Sequence, residues 1–281
     1  MPQVVAAVTA AVSSFTATKI GAAVFNLLGS VALSYLAQLI QGRSGQSQDL
    51  RAELQAPNSL PPKRFAYGRS RVPGTWAPGW VTDGVYLWGA LILNSRPSAG
   101  GAVTVFFDKR PVAVTGDIYD FATGATASEA PFAGHVTMWL GLGDQSGPPS
   151  QIMAEWGDPT STDPTKFWPT DRWSGCTVLW VRLLNGASQT RPTRWPNGRP
   201  EVEVEFDGAL VYDPRDTAQD ADDPATWGFS DNQALCLMDA LRTNPLRGRP
   251  LRQIDVASFM AAADVADEAV PVAAGGTEPR Y

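Results

Sequence analysis

With 281 residues, 44% of them hydrophobic, the chain has enough apolar mass to bury one or two cores and reads as globular. Its formal net charge of −6 leaves no electrostatic footprint for gripping phosphates, so tight nucleic-acid binding is not expected. The only histidine, His135, removes most hydrolytic and metal chemistry, and Cys176 and Cys236, far apart and in no CxxC pattern, suggest neither a disulfide framework nor a thiolate metal site.

From Ile20 to Gln41 the chain carries no formal charge, and Lys19 and Arg43 bracket the segment. It is long enough to span a bilayer. Asn26, Ser30, Ser34, Tyr35 and Gln38 interrupt it, however, and the residues ahead of it lack the basic start and cleavage site of a signal peptide. Val24, Leu27, Leu28, Val31, Tyr35 and Leu39 recur at three- and four-residue steps, the seam of a helix that associates around an axis. Residues 1–42 are therefore expected to be an apolar helical segment at a lumen or oligomer interface, with a membrane span as the alternative. Residues 43–62, rich in Gly, Ser and Pro, read as a linker.

Structure is expected to restart at Lys63 with a β-rich domain over 63–198. The many Gly and Pro residues, set beside abundant Trp, Phe and Tyr, point to short strands punctuated by turns. Alternating runs predict strands at Val85–Leu93, Val103–Phe107, Val112–Val114, His135–Leu140 and Val178–Leu183. In the final segment, 199–281, the run EVEVEF-DG-ALVYD predicts a hairpin turning at Asp207-Gly208, with Val202, Val204 and Phe206 on a core face and Glu201, Glu203 and Glu205 on a wet one. Ala234, Leu235, Leu237, Met238 and Leu241 then sit at helical spacing behind Ser230 and Asp231 as caps. A second helix is expected to start at Asp255, carry Val256, Phe259, Ala263 and Ala266 as its apolar stripe, and end at Val270-Pro271 and Gly275-Gly276.

Few residues offer chemistry. His135 lies in a run that alternates like a strand, and no G-x-S-x-G elbow occurs. Glu201, Glu203 and Glu205 share one strand face and are expected to be solvated alike, unlike two glycosidase carboxylates facing each other across a cleft. Asp220, Asp222 and Asp223 precede Pro224 without the glycine and closing glutamate of a calcium loop. Arg191, Arg194 and Arg199 with Trp195 read as a surface turn that contacts a neighbouring subunit, and Trp76 and Trp80 suit either sugar stacking or packing. No catalytic, cofactor-binding or metal-binding residue is therefore expected, and no cofactor.

Four blocks carry a resemblance: KRFAYGRSRVPG at 63–74, RPEVEVEFDGALVYDPRD at 199–216, WGFSDNQALCLMDAL at 227–241 and IDVASFMAAADVADE at 254–268. In this order they resemble the N-terminal hub region of the tip-attachment, or host-specificity, proteins of long non-contractile tailed phages. The second and third blocks are the more specific. The resemblance implies a mainly β, α+β fold of β-barrel or sandwich-like hub domains. It also implies a homotrimer that caps the tail tube, meets the distal tail and tube proteins, encloses the end of the tape-measure protein and anchors other tip and fibre proteins. Phage DNA would pass through without specific binding, and the N-terminal helix offers one route to host-envelope contact. The expected location is the virion tail tip, after assembly in the host cytoplasm. Members of the family run on past the block that here reads GTEPRY, so this chain is expected to come from a split gene or to be part of a longer protein. A carbohydrate-binding adhesin and a peptidoglycan-degrading enzyme are the alternative readings.

Overall fold

Runs with alternating apolar residues pair into sheets because each strand can then bury one face and wet the other. The computed structural model describes residues 63–77, 81–82, 85–158, 166–185, 191–196, 200–271 and 276–280; the apolar segment expected within 1–42 and the linker 43–62 lie outside the described residues. In chain order the strands and helices are β1 (Arg69–Pro73), β2 (Thr75–Trp76), β3 (Val81–Thr82), β4 (Tyr86–Asn94), β5 (Ser98–Phe107), β6 (Arg110–Val112), β7 (Val114–Thr115), β8 (Ala125–Ala127), β9 (Val136–Gly141), α1 (Ser150–Trp156), β10 (Thr177–Leu184), α2 (Arg191–Arg194), β11 (Val202–Ala209), α3 (Gln233–Thr243), α4 (Val256–Ala266), β12 (Ala269–Pro271) and β13 (Thr277–Pro279). The fold is mainly β-sheet with a few helices, as an α+β protein should be.

One sheet runs β1-β11-β5-β6 and the other β2-β4-β10-β9-β8-β7, with β3 beside β2 on the same edge of β4. Neighbouring strands are antiparallel throughout. The chain passes straight from β1 to β2 through Gly74 and from β6 to β7 through Ala113, so the two sheets share both edges and the pairing order closes on itself. Gly74 is needed at its corner, since a Cβ there would meet the Leu91 side chain at 2.7 Å. Residues 199 onward are not set apart, because β11 lies between β1 and β5.

The inward faces of both sheets form the main core, with Leu93, Phe107, Met138, Val181, Val204 and Phe206 essentially sealed from solvent. The second sheet is also covered outside. There Trp88, Trp139 and Trp180 lie beneath Ile152 of α1 and Phe167, which is why every residue of β9 is buried. A third cluster gathers Val211, Leu235, Met238 and Ala263 under α3 and α4.

Three expectations are corrected. Asp207-Gly208 is not a hairpin turn: it lies inside β11, where the register against β5 slips between Glu205 and Asp207. Glycine is required because a Cβ at Gly208 would meet the Ala66 carbonyl oxygen at 2.5 Å, where the Gly208 and Ala209 amides donate to the Gly68 and Ala66 carbonyls at 2.9 and 2.8 Å. The signal marked a close backbone approach and not a reversal. The cap of α3 is Asn232, whose Oδ1 accepts from the Ala234 and Leu235 amides at 3.0 and 3.3 Å, while Ser230 Oγ accepts from the Asn232 amide. Finally, α4 starts at Asp255 as expected but ends at Ala266, and Ala269–Pro271 turns back as a strand onto Thr277–Pro279.

Candidate functional site

The residues with chemical potential are scattered and engaged locally. His135 sits half-buried before β9, with Nδ1 donating to the Ala133 carbonyl at 2.6 Å. On β11, Glu203 and Glu205 are not solvated alike with Glu201: Arg71 Nε donates to Glu203 at 2.8 Å and Arg69 Nε to Glu205 at 2.9 Å, whereas Glu201 is exposed. Asp207 also accepts from Arg69 at 3.0 Å, and the Arg71 guanidinium lies 3.6 Å over the Phe106 ring. The result is a cross-strand ladder of opposite charges, with no cleft between carboxylates. Each exposed pair is worth only about 0–1 kcal/mol. Burial of Val202, Val204 and Phe206 on the opposite face, roughly 1.5–3 kcal/mol each, holds the strand.

The acidic loop spends its carboxylates on its own backbone. Asp220 Oδ1 accepts from the Asp222 amide at 2.9 Å and Asp223 Oδ1 from the Ala225 amide at 3.1 Å. Among the described residues no group of three or more His, Cys, Asp or Glu is placed to hold a metal ion. Arg194 and Trp195 are not on a surface turn as expected. Arg194 is buried with Nε donating to the Pro131 carbonyl at 2.8 Å, and Trp195 packs against Phe107 and Phe132 in the main core. Trp76 is half-buried against that core; Trp80 and Arg199 lie outside the described residues. Both cysteines are free and half-buried, and burial raises their thiols, Cys236 to about 11, so neither is a ready nucleophile.

Sequence reasoning missed three arrangements. Over the outer tryptophan layer, Lys166 Nζ sits 3.7 Å from the Trp156 ring centre, Trp156 stacks on Trp88, and Arg182 lies 4.3 Å over Tyr86. Burial alone would raise the Glu155 carboxyl beside them, but donation from Arg182 Nε at 2.6 Å, Trp88 Nε1 at 3.0 Å and Gln151 Nε2 at 3.0 Å outweighs it and holds Glu155 below the ordinary carboxylate range. With neighbours stacked on its ring, Trp156 offers a sugar little free face.

The second arrangement fastens α3. Asp239 is fully buried and pairs with Arg96, while Tyr67 Oη donates to its Oδ2 at 2.7 Å and Arg96 lies 5.8 Å over the Trp227 ring. The third fastens α4: Arg215 binds Asp213 of the VYDPRD block at 2.8 Å and also Asp264 and Asp267 of the α4 end at 3.0 and 2.9 Å. Burial tends to raise Asp213, but hydrogen bonds from Arg215 prevail and hold it below the ordinary aspartate range. Both fastenings link residues far apart in sequence, which no local pattern announces.

What these fastenings hold in place is an uncovered apolar surface. Leu237 and Val265 are 56% and 49% exposed, and with Ala234, Ala261, Ala262 and Ala266 they line a groove of about 540 Å³ between α3 and α4. Comparison with protein-family models and with curated proteins finds no match to this chain.

Proposed function

We propose that this chain is a structural hub subunit of a bacteriophage tail tip, acting as a homotrimer that caps the tail tube and anchors the receptor-binding parts. The closed pairing order of the two sheets is read as the barrel-like wall of one hub domain, and contacts with tube, tape-measure and fibre proteins as its role. The observation that carries the reading is the joining of three of the blocks of resemblance. Arg215 ties VYDPRD at 211–216 to Asp264 and Asp267 at the end of α4, Asn232 at the start of α3 donates to Ala263 and Asp267 there, and the two helices present an apolar groove outward. A residue set that builds a junction and a contact face suits an assembly protein, in which apolar surface is hidden between subunits. DNA would pass without specific binding, although Glu203 and Glu205 add little repulsion while paired with Arg71 and Arg69.

Three experiments test the reading. Purified particles should contain the chain, with three-fold density at the tip by electron microscopy, and an absence from particles overturns the proposal. Incubation with peptidoglycan should show no turnover; turnover that is lost in Glu203→Gln or His135→Ala would favour the enzymatic alternative. Saturable glycan binding abolished by Trp76→Ala would favour the adhesin.

A further inference from the structure

The helix pair has a charge pattern that bears on what covers its groove. Asn232, at the start of α3, donates through Nδ2 to the Ala263 carbonyl at 2.9 Å and to Asp267 Oδ1 at 2.8 Å, at the end of α4. The helices therefore run antiparallel, and each end of the pair gathers one sign of charge. One end carries Asp231, Asp264, Asp267 and Glu268, the last three with side chains 70%, 50% and 56% exposed. Arg215 and Arg280 offset part of this charge. The opposite end, in the connection between the helices, carries exposed Arg247, Arg249 and Arg252 against Asp255, which is occupied in capping α4. The apolar groove, which exposed Gln233 also lines, lies in the half of the pair next to the acidic end, with Leu237 protruding toward the middle.

We propose that this face is a homotypic contact, covered by the same face of a second copy of the chain about a two-fold axis. A patch that meets itself across such an axis must be self-complementary. The pattern meets that demand: rotation by half a turn about an axis across the middle of the pair sets the acidic end of each copy on the basic end of the other and brings the Leu237 side chains of the two copies together near that axis. A parallel docking would stack acid on acid and is disfavoured. Each helix has 11 residues and so is about 16 Å long, and two helices side by side offer roughly 300–400 Å² per copy. That is under half of the ~800 Å² per partner of a standard interface, so the contact is weak and forms where copies are concentrated. The inference goes beyond the hub reading and does not rest on it. Three-fold closure joins unlike patches, whereas this contact pairs like ones.

The test is the mass of the intact chain by sedimentation equilibrium from about 1 to 500 μM, the range over which a small interface associates. The expected species at high concentration has two copies, or six where three-fold closure also occurs. Leu237→Glu should weaken pairing at least ~10-fold. Arg249→Glu/Arg252→Glu and Asp231→Arg/Glu268→Arg should each fail to pair alone, because each carries one sign at both ends, and should pair when mixed in equal amounts. Leu237, Asp231, Arg249 and Arg252 are exposed and form no ion pair among the described residues, Glu268 meets Arg280, and recovery on mixing cannot come from unfolded protein. A wild-type mass that stays at one or three copies, pairing that persists in Leu237→Glu, or a mixture that remains unpaired overturns the inference.

Discussion

Asp239 shows how one residue can decide the seating of an element. A carboxylate with no solvent contact is tolerable only when its charge is met, and Arg96 and the Tyr67 hydroxyl are arranged around it. One of its oxygens, Oδ1, has no hydrogen-bond partner, so the pair is not fully compensated. Replacing only one member therefore costs more than replacing both. Asp239→Ala leaves the Arg96 guanidinium, only 15% exposed, without its counter-charge and should cost about 3–5 kcal/mol in urea unfolding. Arg96→Met/Asp239→Leu should cost distinctly less than the single change. A single substitution that costs under about 1 kcal/mol would show that the pair is not effectively buried.

At the scale of elements, what could be read from the sequence depended on how local the cause was. The strands at Val103–Phe107, His135–Leu140 and Val178–Leu183 and the helix capped by Asp255 were legible because alternation, helical spacing and a cap all act within a few residues. The strand expected at Val112–Val114 breaks at Ala113 because the chain changes sheets there, a fact of the closed pairing order and not of the local run. Asp207-Gly208 misled for a similar reason: the glycine answers the backbone of Ala66–Gly68, more than 130 positions earlier, which the pairing of β1 with β11 brings alongside. The same holds at Arg194, whose polar, proline-rich neighbourhood reads as surface although its guanidinium is drawn inside by the Pro131 carbonyl. Gly208→Ala separates the two accounts of the dipeptide. A turn would tolerate alanine only through its dihedral angles, whereas the observed crowding at 2.5 Å predicts a loss of about 1–3 kcal/mol, with β1 loosened from β11. Faster amide exchange at Val72 and Val204 would report that loosening.

For the whole described domain, the three clusters imply two levels of stability. The sheets share a core closed on both sides around β9 and β10, while α3 and α4 rest on a smaller cluster and on charged fastenings. Local opening should therefore begin in the helices, which have fewer buried apolar contacts to lose. Arg215 is the member whose removal should show this, because its guanidinium alone joins Asp213 to Asp264 and Asp267. In Arg215→Met, amide exchange in Val256–Ala266 should speed up about 10-fold or more, with exchange in β9 and β10 unchanged; equal acceleration in both would mean that the helices and sheets open as one unit. Acid offers an independent route to the same opening. Asp213 has its folded pKa depressed by Arg215, so its contribution is complete above the ordinary aspartate pKa and is lost as pH falls through the lowered value. Wild-type helix exchange, corrected for its intrinsic pH dependence, should thus rise only below about pH 4. The Arg215→Met chain, which no longer has the fastening to lose, should show a flatter response over the same range.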